Sequence, residues 1–193
     1  SFTPETKPVG SILPQIKLPS ISDTQGIRSG SKFTLQGFQF SGNRILSDQQ
    51  LGAIVKNYIN KSISISELFK IRDKITQEYI RLGYLSSGAQ LPDQQVTNGI
   101  IRFNITEGKL ADVRVKTDGR LNSNYVATPL RRSATPVVNV FKLEERLQLL
   151  QQDIRINTID ARLEPTDTQG EAILDVKVNE NSAYDFRVEV NNH

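Results

Sequence analysis

Apolar positions recur with two different periods along the chain, and the alternation between them outlines a sequence of elements. From 33 to 40, Phe33 and Leu35, then Phe38 and Phe40, return every second residue. That is a half-buried strand with a slip in phase around Gly37 that reads as a bulge. Ser41, Gly42 and Asn43 make a turn. Ser47 and Gln50 have capping-box spacing, and Leu51, Ile54, Val55 and Tyr58 fall on one helical face. A second helix is predicted from about Ser66, with Leu68, Ile71, Ile75, Tyr79 and Leu82 as its buried stripe. It stops at Gly83, where a left-handed cap suits glycine. Residues 85–91 and 99–106 then form two strand-like runs around the turn-rich connector 92–98. In the second run Ile101, Phe103 and Ile105 alternate with Arg102, Asn104 and Thr106, so the pair reads as a β-hairpin.

The same order returns downstream. Val113 and Val115 mark a strand over 110–116, and Asp118 and Gly119 a turn. A weak helix over 123–132 is interrupted by Pro129. A strong helix capped by Asn139 carries Val140, Leu143, Leu147, Leu150 and Ile154. Glu144 and Glu145 lie in its early turns, where negative charge suits the helix dipole. The segment 158–181 is a degenerate copy of the hairpin: Leu163, Pro165 and Gly170 take the places of Leu91, Pro92 and Gly99, and Glu180 that of Glu107. The two glutamates lie 73 residues apart, the spacing of a small domain repeated. The expected class is α+β, with two tandem β-α-α-β-β domains at 31–108 and 109–181, each a three-stranded mixed sheet covered by two helices. Residues 1–30, with Pro4, Pro8, Pro14 and Pro19, read as an extended linker. Residues 184–190 alternate like a further strand.

Composition narrows the chemistry. No apolar run approaches 18 residues, so no helix is expected to span a membrane. Cysteine is absent, which excludes disulfides and thiol chemistry, and the sole histidine is His193. A Ser–His–Asp triad or a histidine-ligated zinc site therefore has no internal member. No phosphate-binding glycine loop occurs, and no carboxylate pair sits in an apolar setting, so no catalytic site, metal or cofactor is expected. Charge is weak: residues 31–108 hold nine Lys/Arg against six Asp/Glu, and 109–181 eleven of each. An ordinary solvated surface explains this better than a nucleic-acid footprint. With no initiator methionine, the sequence is expected to begin after a removed leader or at an internal boundary.

A small sheet covered on one face leaves its strand edges available. The outer arm of the hairpin, Tyr84, Leu85, Ser86, Ser87, Gly88, Ala89, Gln90 and Leu91, is expected to carry one unpaired row of backbone groups. An extended polypeptide could add to it, unless twist and Pro92 protect the edge.

Several spaced residues in this order carry a resemblance: Ile75 to Tyr79, Gly83 and Tyr84, Ala89 to Pro92, Gln95, Gly99, and Glu107 with Gly108. The chain resembles the polypeptide-transport-associated (POTRA) region of two-partner secretion transporters. Leu147 to Leu150, Ile159 to Leu163, Gly170 and Leu174 to Val178 are similar to that family's second POTRA domain. The resemblance covers about 31–181. It implies a pair of domains on the periplasmic side of the outer membrane, ahead of a β-barrel whose first strand 184–190 resembles. It further implies capture of an unfolded secreted partner, through its N-terminal secretion domain, and delivery to the barrel without nucleotide or cofactor. The family's N-terminal plug helix is not evident in residues 1–30. Two other readings stay open, a POTRA region of the barrel-assembly machinery and an envelope scaffold module.

Overall fold

The structure, a computed structural model, describes residues 32–181. The linker expected over 1–30 and the strand expected over 184–190 lie outside the described residues.

The first unit opens with β1 (Lys32–Thr34) and β2 (Gly37–Ser41), followed by α1 (Asp48–Val55) and a 3-10 turn. Then come β3 (Ser62–Ser64), α2 (Ile65–Arg81), β4 (Gly88–Gln90) and β5 (Ile100–Thr106). The three-stranded sheet runs β2-β5-β4, with β2 parallel and β4 antiparallel to the central β5. The single strand expected over 33–40 is corrected here. β1 pairs antiparallel with β3 in a separate two-stranded sheet, and β2 belongs to the larger one. The slip at Gly37 is thus a change of sheet: Leu35, fully buried, turns inward, and the Gln36 amide donates to the Gly99 carbonyl at 2.8 Å.

Both helices of this unit are capped as their sequences dictate. Ser47 and Gln50 close a capping box at α1, and Ser64 with Glu67 close a second at α2. The α2 box places the helix start one residue before Ser66. Leu68, Ile71, Ile75 and Tyr79 of α2 are fully buried against Ile101 and Phe103 of β5. Burial of such side chains is worth about 1.5–3 kcal/mol each before chain entropy is subtracted.

The second unit repeats the order: β6 (Lys109–Thr117), α3 (Ser123–Ser133), α4 (Val140–Gln151), β7 (Ile156–Pro165) and β8 (Glu171–Glu180). Its sheet runs β6-β8-β7 with β6 parallel and β7 antiparallel to β8. Pro129 does not interrupt α3. The helix runs through it, because Val126, Ala127 and Leu130 are buried in the core and offset the roughly 3 kcal/mol an interior proline costs. Ile154 is also corrected: α4 ends at Gln151, so Ile154 leaves the helical stripe and is 87% exposed.

Two repeated positions do the same work in both units. Glu107 Oε1 accepts from the Arg44 and Ile45 amides, each at 2.7 Å, and from the Tyr79 hydroxyl at 3.0 Å. Glu180 accepts from the Arg120 and Leu121 amides at 2.9 and 2.7 Å. Each glutamate thereby ties the turn after a unit's parallel edge strand to the end of its central strand. Gly99 and Gly170 both enter their central strands at positive φ.

Only Glu107 and Gly108 separate β5 from β6, and the units interlock beside them. The C-terminal end of α2 meets the N-terminal end of α4. Asn139 Nδ2 donates to the Leu82 carbonyl at 2.8 Å, and the Val140 amide donates to the Gly83 carbonyl at 2.9 Å. The Gly108 amide donates to Ser87 Oγ and its carbonyl accepts from the Val138 amide. Carbonyls that α2 leaves unpaired are thus satisfied by the next unit.

Candidate functional site

Two strands border the first sheet, β4 and β2, and their edges differ. The hairpin expected at 85–106 forms, but its outer arm is short. Tyr84, Leu85, Ser86 and Ser87 are not in the strand, and Leu91 lies past its end. Tyr84 packs edge-on to Tyr79 at 6.3 Å, Ser86 lies against Gly108, and Ser87 is buried at the junction. Hydrogen bonds take up part of the row of free amides expected at 84–91. The Ser87 amide donates to the Tyr84 carbonyl, and the Ala89 amide donates to Thr76 Oγ1 of α2 at 3.0 Å. Gly88 lies against the Thr76 side chain, so α2 covers this edge closely. Gln90 bonds to Thr106 across the pair and faces the sheet's other surface.

The β2 edge is open. The Gly37 amide donates to the Gly99 carbonyl, which fixes the phase of the parallel ladder. Gly37, Gln39 and Ser41 turn their main-chain groups toward β5, and Phe38 and Phe40 turn theirs outward. Among the described residues no side chain or loop bonds to the main chain of Phe38 or Phe40. Their rings lie on the helix face with Phe103, at centroid distances of 5.8 and 6.4 Å, and remain half-buried. A groove of about 500 Å³ follows this edge between β2 and α1. Phe38, Phe40, Gly52, Val55 and Ile59 line its apolar side; Asp48, Lys56, Gln39 and Arg102 line its rim. Gly52 keeps the groove wide, since a Cβ there would meet no atom within 4 Å.

The equivalent edge of the second unit is blocked at Val113, the counterpart of Phe38, while the main chain of Val115, the counterpart of Phe40, has no partner beyond the sheet among the described residues. In β6 the phase turns the Val113 main chain outward, and both its groups are occupied. The amide donates to Asp112 Oδ1 at 2.8 Å, and the carbonyl accepts from Arg131 Nη2 of α3 at 3.1 Å. Arg131 also pairs with Asp112 at 3.1 Å. Counted from the helix N-caps, Arg131 corresponds to Lys56, and Ala127 to Gly52. The two units share a topology and differ at this edge.

No group of three or more His, Cys, Asp or Glu able to hold a metal occurs among the described residues. Burial, then the Glu107 hydrogen bond, pushes the Tyr79 hydroxyl well above its ordinary range, so it acts as a neutral donor. Sequence reasoning missed Phe38, Phe40, Gly52, Thr76 and Arg131. The one local signal was Gly52, a glycine inside a helical pattern.

Comparison with known proteins agrees with this architecture. The profile of the POTRA domain, ShlB-type, matches residues 33–108. The heme/hemopexin transporter protein HuxB of Haemophilus influenzae is 26% identical over 191 residues, covering 97% of this chain and 34% of its own length. The outer membrane transporter CdiB of Escherichia coli is 23% identical over 152 residues, 79% of this chain and 26% of its own. The chain thus spans about a third of the length of the curated relatives it matches. Among solved structures, CdiB from Escherichia coli shares the fold with a TM-score of 0.64 at 22% identity, over 85% of this chain and 30% of that one. The N-terminal domain of Omp85 from Thermosynechococcus elongatus does so with a TM-score of 0.62 at 18% identity, over 77% and 67%. No helix among the described residues is long and apolar enough to cross a membrane. Residues 33–108 thus match the POTRA domain of the ShlB type, and the chain is similar over most of its length to the transporters HuxB and CdiB.

Proposed function

We propose that this chain is the periplasmic polypeptide-binding region of an outer-membrane protein-secretion transporter, and that its first unit captures an unfolded secreted protein by strand addition. The observation that carries the reading is the open β2 edge beside its groove, set against the β4 edge, where α2 takes the Ala89 amide, and the β6 edge, where Asp112 and Arg131 block Val113. An incoming strand would bond the outward main chain of Phe38 and Phe40 and bury their half-exposed rings. Its alternate side chains would fall into the groove over Gly52 and Val55, which favours small or branched apolar residues. Those between them would face Gln39 and Arg102, which favours polar or acidic ones. Backbone pairing tolerates many sequences, as transport of a long chain requires. Affinity is expected to be about micromolar or weaker, because ordering an unfolded segment is costly.

The test is an NMR titration of the 193-residue chain with the N-terminal segment of the cognate secreted protein. Shifts are expected at 37–41, Gly52 and Lys56. Gly52→Leu, which fills the groove from a position with free space around it, should abolish them while leaving the fold intact. Shifts confined to 84–91 and indifferent to Gly52→Leu would return capture to the β4 edge. No shifts at millimolar peptide would overturn capture and favour a scaffold role.

A further inference from the structure

Three of the five large hydrophobic residues exposed among the described residues, Tyr125, Leu149 and Ile154, sit at one end of the second unit. Tyr125 and Leu149 line a shallow cleft between α3 and α4 with Pro129, Arg146 and Asp153. The tip that carries Ile154 is firmly built. Asp153 accepts from the Tyr125 hydroxyl, the Arg155 amide and the Arg155 guanidinium, whose plane lies over the Tyr125 ring at 4.3 Å. The Ile156 amide closes the turn on the Asp153 carbonyl at 2.9 Å. A tip held by so many bonds presents its most exposed apolar side chain in a fixed outward direction.

The chain leaves the second unit at this tip. Asn181 donates through its amide to the Arg155 carbonyl at 2.9 Å, and through Nδ2 to the Ile154 carbonyl at 2.6 Å. The Asp153–Arg155 pair is internally neutral, which leaves Arg146 as the cation beside the apolar residues. An aliphatic point, an aromatic ring with its hydroxyl engaged, and arginines with apolar stems make up the chemistry that settles at a lipid headgroup boundary.

We infer that this end of the second unit docks on the periplasmic surface of the outer membrane, with Ile154 entering the glycerophospholipid headgroup layer and Arg146 meeting phosphate. The inference rests on the reading that residues beyond 181 lead into an outer-membrane barrel, which would hold this end against the bilayer. A contact too weak to recruit a free protein then suffices, because tethering raises its effective concentration.

The chain has no tryptophan, so Ile154→Trp introduces a single reporter. The 193-residue protein with a C-terminal hexahistidine tag is tethered to phosphatidylethanolamine–phosphatidylglycerol vesicles containing a nickel-chelating lipid. The new indole is expected to shift to the blue and to be quenched by brominated acyl chains. A Gln49→Trp protein tethered in the same way should show neither change. An indole at 154 that stays red-shifted and unquenched on the vesicle would overturn the inference. So would a blue shift that needs no lipid and follows self-association by light scattering, or one that needs the secreted segment instead. Peptide capture is read at 37–41 and lipid contact at 154, so failure of either is seen separately.

Discussion

Replacing Gly83 with alanine tests the junction between the units directly. Gly83 sits at φ +90°, where an L side chain is strained by about 1–2 kcal/mol. Its Cβ would stand 2.7 Å from Phe141 Cδ2 and 2.8 Å from Asn139 Oδ1. The first contact is cheap to relieve, since the Phe141 ring is more than half exposed and can swing away. The second is not. Asn139 is 5% exposed and works on both sides, accepting from the Phe141 and Lys142 amides as the cap of α4 and donating to the Leu82 carbonyl. Pushing it aside weakens a cap worth about 0.5–2 kcal/mol and a hydrogen bond worth about 1 kcal/mol. The expected loss is about 2–4 kcal/mol, a fall in Tm of roughly 5–15 °C for a chain of this size. Thermal unfolding followed by circular dichroism reads it. Asn139→Asp should reproduce part of the loss, because it keeps the cap but sets a carboxylate against the Leu82 carbonyl. In NMR spectra the shift changes of both variants should concentrate at 82–83 and 138–142. A Gly83→Ala protein melting at or above the parent temperature would refute the reasoning.

Two further outcomes follow from the repeated capping chemistry. Glu107→Ala should destabilise by about 3 kcal/mol and by more than Glu180→Ala, since it also strands the buried Tyr79 hydroxyl; equal losses in denaturant unfolding would contradict this. The Ser64 amide, then the Ser64 hydroxyl, holds the Glu67 carboxyl below its usual range. A depressed folded-state pKa gives stability that is present above the unfolded value and lost as pH falls through the folded one. Glu67→Gln should therefore flatten the stability profile on the acid side of the ordinary glutamate range, and an unchanged slope there would count against the capping box.

The sequence by itself determined the elements and their repetition, because periodicity and capping are local. The stripe of Leu68, Ile71, Ile75 and Tyr79, the stop at Gly83, the paired roles of Gly99 and Gly170, and the hairpins ending at Glu107 and Glu180 could all be read from spacing. Several features could be settled only by tertiary contacts. Whether 33–40 is one strand or two depended on which partners Phe33 and Phe38 found, β3 and β5, both far along the chain. Ile154 kept helical spacing, yet the helix ended three residues earlier and left it outside. The candidate site moved for the same reason. Residues 84–91 had the composition of an edge strand, but edge availability belongs to the backbone hydrogen-bond inventory of the folded unit. Thr76 and Tyr84 take the Ala89 and Ser87 amides beside β4, Asp112 and Arg131 take the Val113 main chain at β6, and among the described residues the outward main chain of Phe38 and Phe40 has no partner. A strand edge is open or closed by side chains from other elements, and their arrival there is decided by packing.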